Sequence, residues 1–127
     1  MKKVLFLLMF PVLCFGQSAM EYWQSGVDKY NEGDYYGAIA DYTKSIDMVD
    51  LDMTLYQRGW AYYMIKDFKS AISDFSKVIE SKFGEEYYAD SYKMRGISKE
   101  NLELPCCPDF KKACEFGDCE NYNKGCK

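Results

Sequence analysis

Gly33-Asp34-Tyr35, Ala38-Ile39, Tyr42 and Ile46 return 33 residues later as Lys66-Asp67-Phe68, Ala71-Ile72, Phe75 and Ile79. Counted from the first aromatic, the apolar positions fall at offsets 0, 3, 4, 7 and 11 in both copies, the spacing of one helical face. Upstream, Gly26 and Gly59 are also 33 apart, each inside a second helical pattern. A two-helix unit repeated at this period cannot bury its apolar face alone and must stack on a neighbour.

Working outward, the pattern predicts helix pairs. A first helix runs from about Ser18 to Asn31, with Gly33 free to take the left-handed conformation that ends it. Asp34 caps a second helix reaching about Met48, and Asp52 is placed to cap a third over about Met53 to Ile65. Asp67 caps a fourth from Phe68 to about Ser81, Gly84 lies in the next turn, and a fifth covers about Glu86 to Leu102. β-Branched residues are sparse and form no strand-like run. The expectation is an all-α solenoid of antiparallel helix pairs, about three hairpins with a short C-terminal capping helix.

These residues resemble the tetratricopeptide-repeat (TPR) family. The match is carried by Tyr22, Gly26, Tyr30, Gly33-Asp34-Tyr35, Ala38-Ile39, Tyr42 and Ile46, then by Leu55, Gly59, Tyr62-Tyr63, Asp67-Phe68, Ala71-Ile72, Phe75 and Val78-Ile79. In that family the small residues stand where the two helices of a hairpin cross closely. Lys29 and Ser45 depart from the pattern, standing where the family prefers an aromatic and an alanine, and no proline closes either repeat. A third unit is altered. Tyr92 and Gly96 repeat the start and Phe110 and Ala113 the end, while Leu102-Glu103-Leu104-Pro105 replaces the Gly-Asp-aromatic turn in two fewer residues. Pro105 suits the first turn of a helix, and Cys106 falls where the earlier copies have Ala38 and Ala71. Repeat limits of about 18–50, 51–84 and 86–116 follow, with a cysteine-rich cap over 105–127. End repeats are expected to be atypical because they face water.

The first 16 residues are of another kind. Lys2 and Lys3 precede a 12-residue apolar run, Val4 to Phe15, and Gly16 stands before polar Gln17 and Ser18. This reads as a secretory signal peptide over 1–16, with residues 17–127 as the exported domain, periplasmic or secreted. The run is short for a membrane span, which takes ~20 apolar residues. Lipid attachment at Cys14 is disfavoured by Leu13, where a lipoprotein signal has a small residue. Without this segment the basic count falls from 16 to 14 against 20 acidic residues, a balance of −6. That charge argues against nucleic acid and against attraction to anionic membranes. The chain has no histidine, so the commonest general base and metal ligand are missing. No enzyme, metal or cofactor is expected.

The five cysteines beyond residue 16 all lie in the last 22 residues: Cys106, Cys107, Cys114, Cys119 and Cys126. In an exported protein disulfides are the default. Cys107 and Cys114 are seven apart on a helix from about Pro105 to Phe116, whose other face carries Cys106, Phe110 and Ala113 toward helix five. Gly117 can end that helix and Asp118 begin a last one, on which Cys119 and Cys126 are again seven apart. Two antiparallel helices joined by a tight turn pair positions of constant sum. The expected bridges are therefore Cys114–Cys119 and Cys107–Cys126, with Cys106 left as a buried thiol. A metal or redox centre is the alternative, but no Cys-x-x-Cys pair is present. Lys112-Ala113-Cys114-Glu115-Phe116-Gly117-Asp118 with its following cysteine is also similar to the secreted, cysteine-rich Sel1-like repeats, in which cysteines staple helices together.

The TPR resemblance implies that the first helix of each pair lines a concave binding face. That face would receive Trp23, Val27, Tyr30 and Asn31, then Tyr56, Trp60, Tyr63 and Met64, then Lys93, Ile97, Glu100 and Asn101. Large amphipathic rings supply most interface hot spots, so Trp23, Tyr56 and Trp60 are expected on one exposed surface. With 22 aromatic residues in the chain, some of these rings belong to the core instead. The form of the groove that grips a chaperone's C-terminal carboxylate uses lysines and asparagines on these helices. Only Asn31, Lys93 and Asn101 come near it, and Trp23 replaces its first lysine. Asp47, Asp50 and Asp52 lie at a helix end and its connection, without the pattern of a calcium loop. The expected function is an exported, non-enzymatic module binding a protein or peptide partner. The alternatives are a Sel1-like protein binding a small cell-wall or β-lactam-type ligand, and a structural subunit that homodimerises through its aromatic face or a free cysteine.

Overall fold

The first helix of each pair stops at a left-handed residue, and these stops set the architecture. The structure, a computed structural model, describes residues 17–81 and 85–126; the leader over 1–16 with Cys14, and the turn at Gly84, lie outside them. Helix α1 (Ala19–Asn31) begins in a capping box, Ser18 and Glu21 each accepting the other's backbone N–H. It ends at Gly33, φ +83°. There the Gly33 and Asp34 N–H groups return to the Tyr30 and Lys29 carbonyls at 3.0 and 2.8 Å, the Schellman arrangement. Asp34 then caps α2 (Tyr35–Met48) through the Gly37 N–H. After α3 (Asp52–Met64) the same turn recurs at Lys66, φ +62°, and Asp67 caps α4 (Phe68–Glu80) through Ser70.

The third unit corrects the sequence reading. A 3-10 turn (Glu85–Tyr87) leads into α5 (Tyr88–Asn101), and α5 ends in the same backbone turn although its Gly-Asp-aromatic residues are gone. Glu103 adopts φ +56°, and the Leu104 N–H reaches the Lys99 carbonyl at 2.9 Å. What has been lost is the first turn of the next helix. Helix α6 (Cys107–Glu115) starts late, with Pro108 rather than Pro105 in its opening turn. Cys106 consequently sits at the helix boundary and is half-buried, where the equivalent Ala38 and Ala71 are fully buried. Gly117, φ +105°, closes α6, and α7 (Glu120–Gly125) starts from Cys119 rather than Asp118. Asp52 is likewise the first residue of α3, not its cap; Leu51 holds that place without a side-chain bond.

Among the described residues the elements are all helical, paired α1/α2, α3/α4 and α5/α6, with each pair stacked on the next and α7 against α6. Close crossing within a pair needs a missing side chain. A Cβ on Gly26 would lie 2.6 Å from the Tyr42 ring, and one on Gly96 would lie 2.5 Å from Phe110. The rings that fill these crossings, Tyr42, Phe75 and Phe110, are at most 3 % exposed; burying such a side chain contributes ~1.5–3 kcal/mol. Ser45, the apparent departure from an alanine position, is fully buried and satisfied, its hydroxyl donating to the Ala19 carbonyl at 2.8 Å. Among the described residues no helix is long and apolar enough to cross a membrane.

Candidate functional site

The stacking of one pair on the next leaves a gap between the first helices of units one and two. Val27, Tyr30 and Asn31 of α1 face Gln57 and Trp60 of α3 across it, with the buried Tyr42 of α2 as a further wall. The cavity holds about 380 Å³, within the ~300–1,000 Å³ typical of ligand sites. No charged side chain lines it. Burial pushes the Tyr42 phenol up to about 12, helped by Tyr30, and burial also raises the Tyr30 phenol, helped by Tyr35. Both rings stay neutral at physiological pH, so the cavity is aromatic and uncharged, with two amide groups as its other polar features.

Four of the twelve residues expected on the binding face meet here: Val27, Tyr30, Asn31 and Trp60. Trp23 stands behind them, half-buried against the first core cluster, its indole N–H donating to Gln57 Oε1 at 2.5 Å. Tyr56 is engaged elsewhere. Its hydroxyl donates to Asp90 at 2.6 Å and its ring meets Phe75 and Tyr87, so it joins unit two to unit three. Tyr63 packs between Trp60 and Phe68, while Met64 is exposed. In unit three, Ile97 packs on the second core cluster, and Glu100 and Asn101 are exposed. The Lys93 ammonium is held by Asp118 at 2.8 Å and Asp90 at 3.5 Å. The hydrogen bond to Asp118 chiefly raises the Lys93 pKa and, reciprocally, holds the Asp118 carboxyl low.

Sequence reasoning missed Tyr42 and Gln57 in the cavity, and it missed a buried polar seam on the far side of the first helices. Arg58 donates to both Asp74 oxygens at 2.7 and 2.9 Å, and its third nitrogen donates to the Thr43 hydroxyl of the preceding unit at 3.0 Å. Arg95 repeats this one unit on, binding Asp109 at 2.6 and 3.1 Å and the Ser76 hydroxyl at 3.1 Å. In unit one Ser25 stands at the arginine position. It and Lys29 bind Asp41 at 2.6 and 2.7 Å, which gives a structural role to the lysine that departs from the family pattern. Burial raises the Asp41 carboxyl, but the Lys29 and Ser25 hydrogen bonds outweigh it and leave it below the ordinary range. A sequence signal existed: an aspartate precedes the core ring in every unit, at Asp41-Tyr42, Asp74-Phe75 and Asp109-Phe110.

No protein-family model matches the sequence, and no curated protein matches it. Among solved structures it is similar to the first TPR domain of Spaghetti (RPAP3) bound to the HSP90 peptide SRMEEVD. The two share 25 % sequence identity over 81 % of this chain and 82 % of that one, with a TM-score of 0.67. The chain has the tetratricopeptide-repeat fold. In TPR terms the cavity opens between the first helices of two adjacent repeats, and the arginine–aspartate seam runs behind it.

The TPR stack is closed by a cysteine cap. Cys107 is bonded to Cys126 and Cys114 to Cys119, and Cys106 is the free thiol among the described residues. Phe116 stacks on Tyr92 and meets Tyr88 edge-on, which together with the Lys93–Asp118 pair ties the cap to α5. No group of three His, Cys, Asp or Glu side chains among the described residues is placed to hold a metal ion.

Proposed function

We propose that this TPR chain is an exported, non-enzymatic interaction module that holds a peptide, or a peptide-like segment of a partner protein, between α1 and α3. The observation that carries the reading is the uncharged aromatic cavity walled by Val27, Tyr30, Asn31, Gln57 and Trp60. A gap between first helices is where a segment can lie across two repeats, and the similar Spaghetti domain is itself bound to a peptide. Export is supported by Lys2, Lys3 and the apolar run from Val4 to Phe15. Two bonded cysteine pairs suit an oxidising compartment.

The test is selection of a random displayed peptide library on the oxidised protein, followed by binding to the Asn31→Trp variant. Asn31 is exposed, so the larger ring fills the cavity mouth without entering the core. Selected peptides are expected to bind the variant at least ~10-fold more weakly, a loss of ~1.4 kcal/mol, while helix content is unchanged. Peptides that bind both proteins equally would place recognition elsewhere. The small-ligand alternative finds support in the cavity volume. It would appear as a soluble cell-wall fragment or β-lactam binding the wild type, blocked by the same substitution, with no peptide selected.

A further inference from the structure

The cavity has a directional polar group, and its direction is set from outside. An indole nitrogen is a donor only, and an amide offers one acceptor oxygen and a nitrogen with two donors. The 2.5 Å bond from Trp23 Nε1 to Gln57 Oε1 therefore turns the Gln57 oxygen toward Trp23 and leaves Nε2, with its hydrogens, as the group that can serve a ligand. Around it stand Tyr30, Tyr42, Trp60 and Val27, with no charged side chain. The cations of α1 and α3 are already committed, Lys29 to Asp41 and Arg58 to Asp74, and on α5 Lys93 is held by Asp118. A ligand carboxylate would find no free ammonium or guanidinium among these three, whereas a neutral acceptor would find one oriented donor beside an apolar wall.

Resting on the peptide-binding reading above, we propose that the cavity takes an uncharged segment. One apolar or aromatic side chain inserts against Trp60 and Tyr42, and a backbone carbonyl of the segment accepts from Gln57 Nε2. Trp23 is the positioning residue, because it holds the Gln57 amide in the donor-inward sense. The occupant is a neutral peptide stretch rather than an acidic chain terminus. Dropping the Trp23 N–H lets the amide turn, and replacing the amide by a carboxylate turns the donor into an acceptor.

The experiment uses a peptide selected on the wild type and shown to lose binding on Asn31→Trp, measured by calorimetry on Trp23→Phe and Gln57→Glu. Trp23→Phe keeps a ring but not the N–H, and binding is expected to weaken about three- to tenfold, the size of one net hydrogen bond. Gln57→Glu still accepts from Trp23, so the fold keeps that bond. Binding of the neutral peptide should nevertheless fall more than tenfold, and fresh selection on this variant should return lysine- or arginine-bearing sequences. Raising salt from 50 to 500 mM should leave the wild-type affinity within twofold, because no ion pair forms. Unchanged affinity in both variants, or selected peptides that share an acidic C-terminus and weaken with salt, would overturn the inference while the groove reading stands. Failure to select any peptide that Asn31→Trp blocks would overturn both.

Discussion

The buried seam predicts a contrast between two arginines that look equivalent in sequence. Arg58 and Arg95 each grip an aspartate with two nitrogens and reach a hydroxyl of the preceding repeat with a third. The Asp74 side chain is 3 % exposed, and its one ion-pair partner among the described residues is Arg58. The Asp109 side chain is 4 % exposed but is also bound by Lys99 at 2.7 Å. Replacing Arg58 by Met keeps much of the stem and strands a buried carboxylate, which costs ~3–5 kcal/mol. Arg95→Met leaves Lys99 in place, so the loss is nearer the ~1.5–3 kcal/mol of charge-assisted hydrogen bonding. Against a total stability of ~5–15 kcal/mol, the first is a large fraction. Urea unfolding followed by far-UV circular dichroism at pH 7, with the cysteines oxidised, reads both. In a thermal scan of the same signal, the Arg58→Met melting temperature should fall by ~12 °C or more. Adding Asp74→Leu should recover most of the loss, since an apolar pair of similar volume replaces a buried ion pair at little net cost. Equal losses for the two arginines, or no recovery in the double variant, would refute the account of Asp74 as a carboxylate held by one cation.

The glycine crossings should rank by clearance. A Cβ at Gly26 or Gly96 would stand 2.6 or 2.5 Å from a buried ring, against 3.1 Å at Gly59; Gly26→Ala and Gly96→Ala should each cost ~1–3 kcal/mol, with Gly59→Ala measurably milder in the same unfolding assay. Lys66→Gly should raise stability by ~1 kcal/mol, because Lys66 holds φ +62° where repeat one has Gly33; a loss would mean that the lysine side chain contributes more than its strain. The bridges close loops of 19 and 5 residues in sequence separation, so chain-entropy loss predicts ~3 kcal/mol for removing Cys107–Cys126 and ~2 kcal/mol for Cys114–Cys119. Thermal melts of the paired serine variants check that order. A thiol count on the oxidised, denatured 17–127 chain should return one, from Cys106; three would mean that a bridge is open.

How much of the site was legible depended on distance along the chain. Val27, Tyr30, Asn31 and Trp60 could be assigned to one face from helical register and family position. Tyr42 could not be placed in the cavity that way. Its pattern marks a core residue, and only the offset between α1 and α3 leaves it as a wall of the cavity. Tyr56 shows the opposite error. Register puts it beside Trp60, but the approach of α5 engages its hydroxyl with Asp90. The third turn is not legible because its Gly-Asp-aromatic residues are missing, whereas the backbone bonds that make a Schellman turn need only one tolerated left-handed residue, and Glu103 supplies it.

The sequence by itself determined the helices, their pairing and the period of the stack, because these follow from apolar spacing and caps within a few residues of one another. Small residues at Gly26, Gly59 and Gly96 announced the crossings for the same reason. The tertiary structure alone decided which polar groups meet. Arg58 finds Asp74 on its own hairpin and Thr43 on the hairpin before it, 16 and 15 residues away, and Trp23 finds Gln57 34 residues away. Such partners depend on how far one helix slides along another, which side-chain volumes settle only when the pairs stack. The direction of the Gln57 amide, and with it the chemistry offered to a ligand, is a product of that stacking.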